Sequence, residues 1–163
     1  MNLIKLIKNK LFNTFDKKVN TLLNAAYSSN NKNIVHNNGK LVRDGKHIVK
    51  IEHDLLPGIY LRRMILAKGG YIVSAIHKRD HVWFLLSGHI TIATSKSKTD
   101  YIAPYMGFSK AGTQRVIYAH EDSIFQNVFQ NPFEYKNLDK LEEHNYSLTK
   151  EDYDNFIRNN KWT

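Results

Sequence analysis

Between Ile48 and Asn131 the chain divides into short apolar and β-branched runs that never continue far before a turn signal interrupts them. The runs are His47–Ile51, Ile59–Leu66, Tyr71–Ile76, Val82–Leu86, His89–Thr94, Asp100–Ile102, Gly107–Ser109, Gln114–Tyr118 and Ser123–Phe129. Between them lie Pro57-Gly58, Gly69-Gly70, Ser87-Gly88, Ser95–Thr99, Ala111-Gly112 and His120–Asp122. Many short strands spaced this way specify an antiparallel β-sandwich or barrel. With 163 residues, 42% of them hydrophobic, the chain has material for one core rather than two.

The flanks read differently. Leu3, Ile4, Ile7, Leu11, Phe12, Phe15, Val19, Leu22 and Leu23 recur at three- and four-residue steps among lysines, the pattern of a basic amphipathic helix within residues 1–30. Such a helix docks on an acidic partner or membrane surface, or packs on its own barrel or a second copy; a homo-oligomer, in the simplest case a homodimer joined through it, is the expectation here. Residues 31–47 are an asparagine-rich linker leading into a hairpin, marked by Asn37-Asn38-Gly39 and Asp44-Gly45. Residues 48–131 form the barrel. In residues 132–163, Leu138, Leu141 and His144 suggest one short helix, and Thr149-Lys-Glu-Asp152 reads as a capping box opening a second.

Composition excludes several chemistries. Without cysteine there is no disulfide, thiolate metal site or cysteine nucleophile. No run approaches the roughly 20 apolar residues of a membrane span, and Lys5, Lys8 and Lys10 interrupt any signal-peptide core, so the reading is an intracellular soluble protein. The net charge of +9 favours anions, or simply keeps the surface soluble. Nucleic acid is the weakest reading, because the lysines are spread along the chain with no aromatic-interleaved basic strand among them.

Chemistry concentrates in Gly69-Gly-Tyr-Ile-Val-Ser-Ala-Ile-His77-Lys-Arg-Asp-His81-Val-Trp83-Phe-Leu-Leu-Ser-Gly88. Alternation along a strand puts His77, His81 and Trp83 on one face, with Ala75, directed into the barrel. This stretch resembles the first motif of the cupins, Gly-x5-His-x-His-x3,4-Glu-x6-Gly, with His77 on the second histidine, His81 on the glutamate and Ala75 in place of the first histidine. Ser109-Lys-Ala-Gly112-Thr-Gln-Arg115-Val-Ile-Tyr-Ala119 resembles the second motif, with Arg115 where a metal-binding histidine stands. Together with Ala103-Pro104-Tyr105 and Tyr118-Ala-His120-x-Asp122, these segments are similar to small cupin-domain proteins encoded by tailed bacteriophages, in which an arginine matching Arg62 also recurs.

The resemblance covers about residues 60–130. It implies a mainly β chain, a cupin-type antiparallel jelly-roll barrel flanked by an N-terminal helix and short C-terminal helices, working in the cytoplasm of an infected bacterial host or associated with the virion.

Two histidines hold a divalent metal weakly. A tight site for Zn, Fe, Mn or Ni would need a third donor, with His120 the first choice and Asp80, Glu121 or Asp122 as others. Otherwise the imidazoles stay neutral and hydrogen-bonded. Arg115 inside a barrel calls for an anion, either an internal carboxylate or a bound carboxylate or phosphate, and Arg62 could assist. Trp83 and Tyr118 would stack on a planar or sugar ring, or merely pack in the core. The expected function is therefore binding of a small anionic, sugar-like or nucleotide-like ligand in the barrel, with or without a metal; the alternative is a non-catalytic virion or assembly scaffold. Removing residues 1–27 should expose apolar surface and change the oligomeric state, measurable by light scattering; an unchanged, monodisperse product would contradict the docking role.

Overall fold

The computed structural model describes residues 15–19, 21, 40–43 and 46–160. Residues 15–19 and 21 are helical and Val19 is buried, as the N-terminal periodicity requires; the other residues of the expected helix and the Asp44-Gly45 turn lie outside the described residues. Twelve strands follow: β1 (Lys40–Arg43), β2 (Lys46–Leu56), β3 (Gly58–Leu66), β4 (Tyr71–Val73), β5 (Ile76–His77), β6 (His81–Ser87), β7 (His89–Ala93), β8 (Lys98–Ile102), β9 (Tyr105–Ser109), β10 (Val116–Ala119), β11 (Ser123–Asn131) and β12 (Tyr146–Ser147). Two helices, α1 (Leu138–Asn145) and α2 (Lys150–Asn159), flank β12.

A six-stranded sheet in the order β1-β2-β3-β11-β6-β9 faces a four-stranded sheet in the order β4-β10-β7-β8, and every pairing is antiparallel. Sequence-adjacent hairpins (β1-β2-β3 and β7-β8) alternate with pairings between strands distant in sequence (β3-β11, β11-β6, β6-β9, β4-β10 and β10-β7), giving the expected mainly β, cupin-type jelly roll. Alternation fills the space between the sheets: Val49, Met64, Leu66, Trp83, Leu85, Ile90, Ile92, Ile117, Ala119 and Phe125 form one apolar cluster. Each large side chain so buried contributes about 1.5–3 kcal/mol.

β2 runs five residues beyond the apolar segment His47–Ile51, because its charged half is paired across the ladder. Glu52 lies opposite Arg63, whose guanidinium donates to Glu52 at 3.2 Å and to Asp54 at 3.5 Å, while Ile51 and Leu55 keep the inward register. The expected strand Tyr71–Ile76 is interrupted at Ser74-Ala75. There the Ser74 hydroxyl accepts the Arg115 amide at 2.9 Å, a side chain replacing a rung of the ladder.

The C-terminal segment closes one end of the barrel. Leu141 of α1 and Tyr146 of β12 cluster with Tyr60 and Phe129, and β12 pairs with β5 in the register Tyr146↔His77. Thr149 and Asp152 form the reciprocal capping box anticipated from the sequence. α2 then rests on the 110–113 turn, where Tyr153 lies against Gly112, and Phe156 sits beneath the cations of Lys78 and Arg79.

Gly107 of β9 faces Trp83 across the β6–β9 ladder, and any β-carbon there would overlap the indole ring. Gly107→Ala should therefore lower stability by about 1–3 kcal/mol and perturb Trp83 fluorescence. A urea midpoint equal to wild type would show that the indole can move aside.

Candidate functional site

β11 sets the layering of the barrel interior. Its inward residues are Phe125, Asn127, Phe129 and Asn131, so a polar side chain is fixed between two phenylalanines. Phe125 belongs to the large apolar cluster and Phe129 to the cluster beneath the C-terminal segment. At the level of Asn127 lie His77, His81 and Arg115, all buried, with Arg115 only 2% exposed.

One guanidinium nitrogen organises this layer. Arg115 Nη2 lies 3.2 Å from His77 Nε2, 3.1 Å from His81 Nε2 and 3.0 Å from Asn127 Oδ1. The imidazole tautomers follow from their other partners. His77 Nδ1 donates to the Thr113 carbonyl at 2.8 Å and His81 Nδ1 faces the Arg79 carbonyl at 3.4 Å, leaving both Nε2 lone pairs to share the two Nη2 hydrogens with Asn127 Oδ1. The rings stack on one another at 4.4 Å, with Phe129 against both and Tyr146 edge-on to His77.

Burial and the adjacent guanidinium hold both imidazoles neutral. Desolvation first and the Arg115 charge second push the His81 pKa down to about 4 and that of His77 well below its ordinary value. Burial likewise pushes Arg115 down to about 10. Among the described residues, the remaining guanidinium groups, Nε and Nη1, are buried with no partner, and no carboxylate forms a salt bridge with Arg115.

The other sequence-derived candidates divide between inside and outside. Arg62 points inward from β3, lies 5.3 Å from the Tyr146 ring and pairs with Glu142 at 3.7 Å; its Nε has no partner. Trp83 is inward but belongs to the packing, stacked on Phe125 and Tyr105 and edge-on to Tyr101, so a role in holding a ligand ring finds no free face. Tyr118 faces outward and is 43% exposed, because its neighbours Ile117 and Ala119 take the inward positions of β10.

His120 follows the same alternation outward and does not join His77 and His81. Asp80 is occupied by Lys110 and the Ala111 amide, and Asp122 accepts the Lys68 amide. Sequence reasoning missed Asn127, although a polar residue in the inward register of Phe125 and Phe129 was a readable signal.

The histidine pair fits a metal poorly. A cation bonded to both Nε2 atoms at about 2.1 Å would occupy the space of Arg115 Nη2, itself positively charged. The lumen therefore reads as a layer already built around a fixed cation.

Outside the barrel, His89, Asp100 and His120 bring one donor atom each to within 4.8 Å of the others. Thr91 lies among them, donating to Asp100 Oδ1 at 2.5 Å and lying 2.6 Å from His120 Nε2. Nothing in the motif matching pointed to His89 or Asp100.

No family model matches the chain, and no curated protein does. Solved structures of cupin-domain proteins are similar to it in fold. One is a cupin superfamily protein from Desulfitobacterium hafniense, with TM-score 0.47 and 13% identity over 63% of this chain and 98% of that one. Another is KdgF from a Halomonas species, with TM-score 0.45 and 13% identity over 51% and 78% of the two chains. A third is a cupin 2 domain-containing protein from Halorhodospira halophila, with TM-score 0.45 and 14% identity over 55% and 75%. The chemistry of the site is read from its own geometry.

The neutral imidazoles give stability a definite pH dependence. Because their folded pKa values are lowered, the unfolded chain binds protons more readily, so stability is complete above about pH 6.5 and is lost as pH falls towards the folded values. For His81 the window runs down to about 4, and the loss there reaches roughly 3 kcal/mol. Urea midpoints should fall steadily across this range and fall less steeply for His81→Gln. A flat profile in the wild type would mean that the layer accepts charged imidazoles.

Proposed function

We propose that this chain is a binding barrel whose interior holds one small anion of the carboxylate or phosphate class, such as a sugar acid or a nucleotide, on the guanidinium of Arg115. The observation that carries this reading is a buried cation that, among the described residues, has no carboxylate partner and no acceptor for Nε and Nη1. Burying an unpaired charge costs several kcal/mol, and leaving its N–H groups unsatisfied adds to that cost. An anion removes both penalties at once, through charge-assisted hydrogen bonds.

The neighbouring residues suit this role. His77, His81 and Asn127 fix the guanidinium through Nη2, so binding would not have to freeze a flexible side chain. Arg62 supplies a second inward cation near Tyr146, and the net charge of +9 draws anions to the surface. The neutral imidazoles act as acceptors for Arg115, which describes a receptor rather than a proton-transfer site. On the resemblance of its motifs we place the protein among phage-encoded barrels acting in the infected cell.

A scaffold role is the second reading, and one observation favours it. The outer face of β6 and β9 exposes Leu86, Met106 and Phe108, the last 71% exposed, as a surface for association in an assembly. Light scattering across a concentration series tests it; a monomer at all concentrations would remove it.

For the anion, native mass spectrometry of freshly purified full-length protein, followed by calorimetry with inorganic phosphate, a sugar acid and a nucleoside monophosphate, is the direct test. At least one should bind, Arg115→Gln should weaken it about thirtyfold or more, and Arg115→Lys should retain part of the affinity. Equal affinity in wild type and Arg115→Gln, or no binding of any of the three with no small molecule carried through purification, would sink the reading.

A further inference from the structure

The outer face of the four-stranded sheet carries a cluster that the lumen chemistry does not use. β8, β7 and β10 are adjacent there, with Thr91 in register with both Asp100 and Tyr118. His89 begins β7, and His120 immediately follows β10. Its amide donates to the His89 carbonyl at 2.8 Å, and the two imidazole rings stack with centroids 4.4 Å apart. Two histidines and one carboxylate thus come from β7, β8 and the turn after β10 to one point.

We infer that His89, Asp100 and His120 form a binding site for a first-row divalent cation on the outer face of the barrel, independent of the buried His77 and His81. The donor set is right for such an ion: imidazole nitrogens and a carboxylate suit zinc, nickel, cobalt and iron. The spacing is right as well. Bonds of about 2.1 Å place donors about 3.4 Å apart around a tetrahedral ion and about 4.2 Å apart at opposite octahedral positions. Donor atoms already within 4.8 Å of each other reach those distances by side-chain rotation alone.

The surroundings point the same way. The two imidazoles and the carboxylate converge on one point of the outer face, each offering a donor atom to a shared ion. Asp100 accepts the Thr91 hydroxyl through Oδ1, which orients its carboxylate towards the two imidazoles. Thr91 also contacts His120 Nε2, so it fixes the orientation of two of the three donors, as an outer partner of a metal ligand does. Asp100 is exposed and the histidines half-buried, leaving the remaining coordination positions to water or to an incoming ligand. The ion would also tie the β7–β8 hairpin to the β10–β11 turn.

The test uses full-length protein freed of any His-tag. Cobalt is titrated by visible absorption and zinc by calorimetry, in wild type, His120→Ala, Asp100→Asn and the double variant His77→Ala/His81→Ala. Wild type should take up one ion per chain and melt at a higher temperature with zinc. His120→Ala and Asp100→Asn should each lose about tenfold or more in affinity, while the double variant, if folded by circular dichroism, should bind as wild type does. Should the double variant not fold, His77→Gln takes its place. Binding unchanged by His120→Ala and Asp100→Asn, binding abolished by the lumen substitutions instead, or no uptake by wild type would each overturn the assignment.

Discussion

The barrel is organised around a single charge that has been taken out of water. Arg115 sits between two apolar clusters, and a guanidinium in that position is tolerable only where acceptors meet it with correct geometry. Three acceptors share the two hydrogens of Nη2, and each depends on a different part of the fold. Asn127 is held by the alternation of β11 between Phe125 and Phe129. His77 is held by β12 on one side and by the 110–113 turn on the other, where Gly112 donates to its carbonyl and Thr113 accepts its amide. His81 opens β6, adjacent to β9 and β11 in the same sheet.

Histidines in this chain consequently live under two regimes. In the lumen, desolvation and a neighbouring cation keep the imidazole neutral and make its lone pair an acceptor. On the outer sheet face, His89 and His120 have a carboxylate and a hydroxyl for company and solvent beside them. One sheet separates the two, and the period-two alternation of β10 decides which side a residue joins: Arg115, Ile117 and Ala119 are buried, whereas Tyr118 and His120 face out.

That alternation also explains how much could be read in advance. Nearly every strand was legible because its apolar residues recur with period two and its ends carry glycine, proline or small polar residues. The capping box at Thr149 was legible because its chemistry is local. The charged half of β2 was not, since Glu52 and Asp54 are stabilised by Arg63 on another strand. Ser74 interrupting β4 was hidden for the same reason, its partner being an amide 41 residues away. His120 was named as a third donor because two histidines alone hold a metal weakly, although counting from Ile117 would have sent it outward. Tyr146 and the strand it forms over the site carried no signal, because a two-residue ladder has no periodicity to detect.

Arg115 Nη2 is the centre on which the surrounding acceptors converge, the place a bound metal ion takes in many protein sites. A cation acquired from the cell depends on supply and can be stripped, exchanged or replaced by a competing ion. A cation carried on a side chain is translated with the protein, is present from the moment the strands close, and responds neither to scarcity nor to chelation. The positive centre of this barrel is in that sense inherited rather than recruited, and only a change in the gene can remove it.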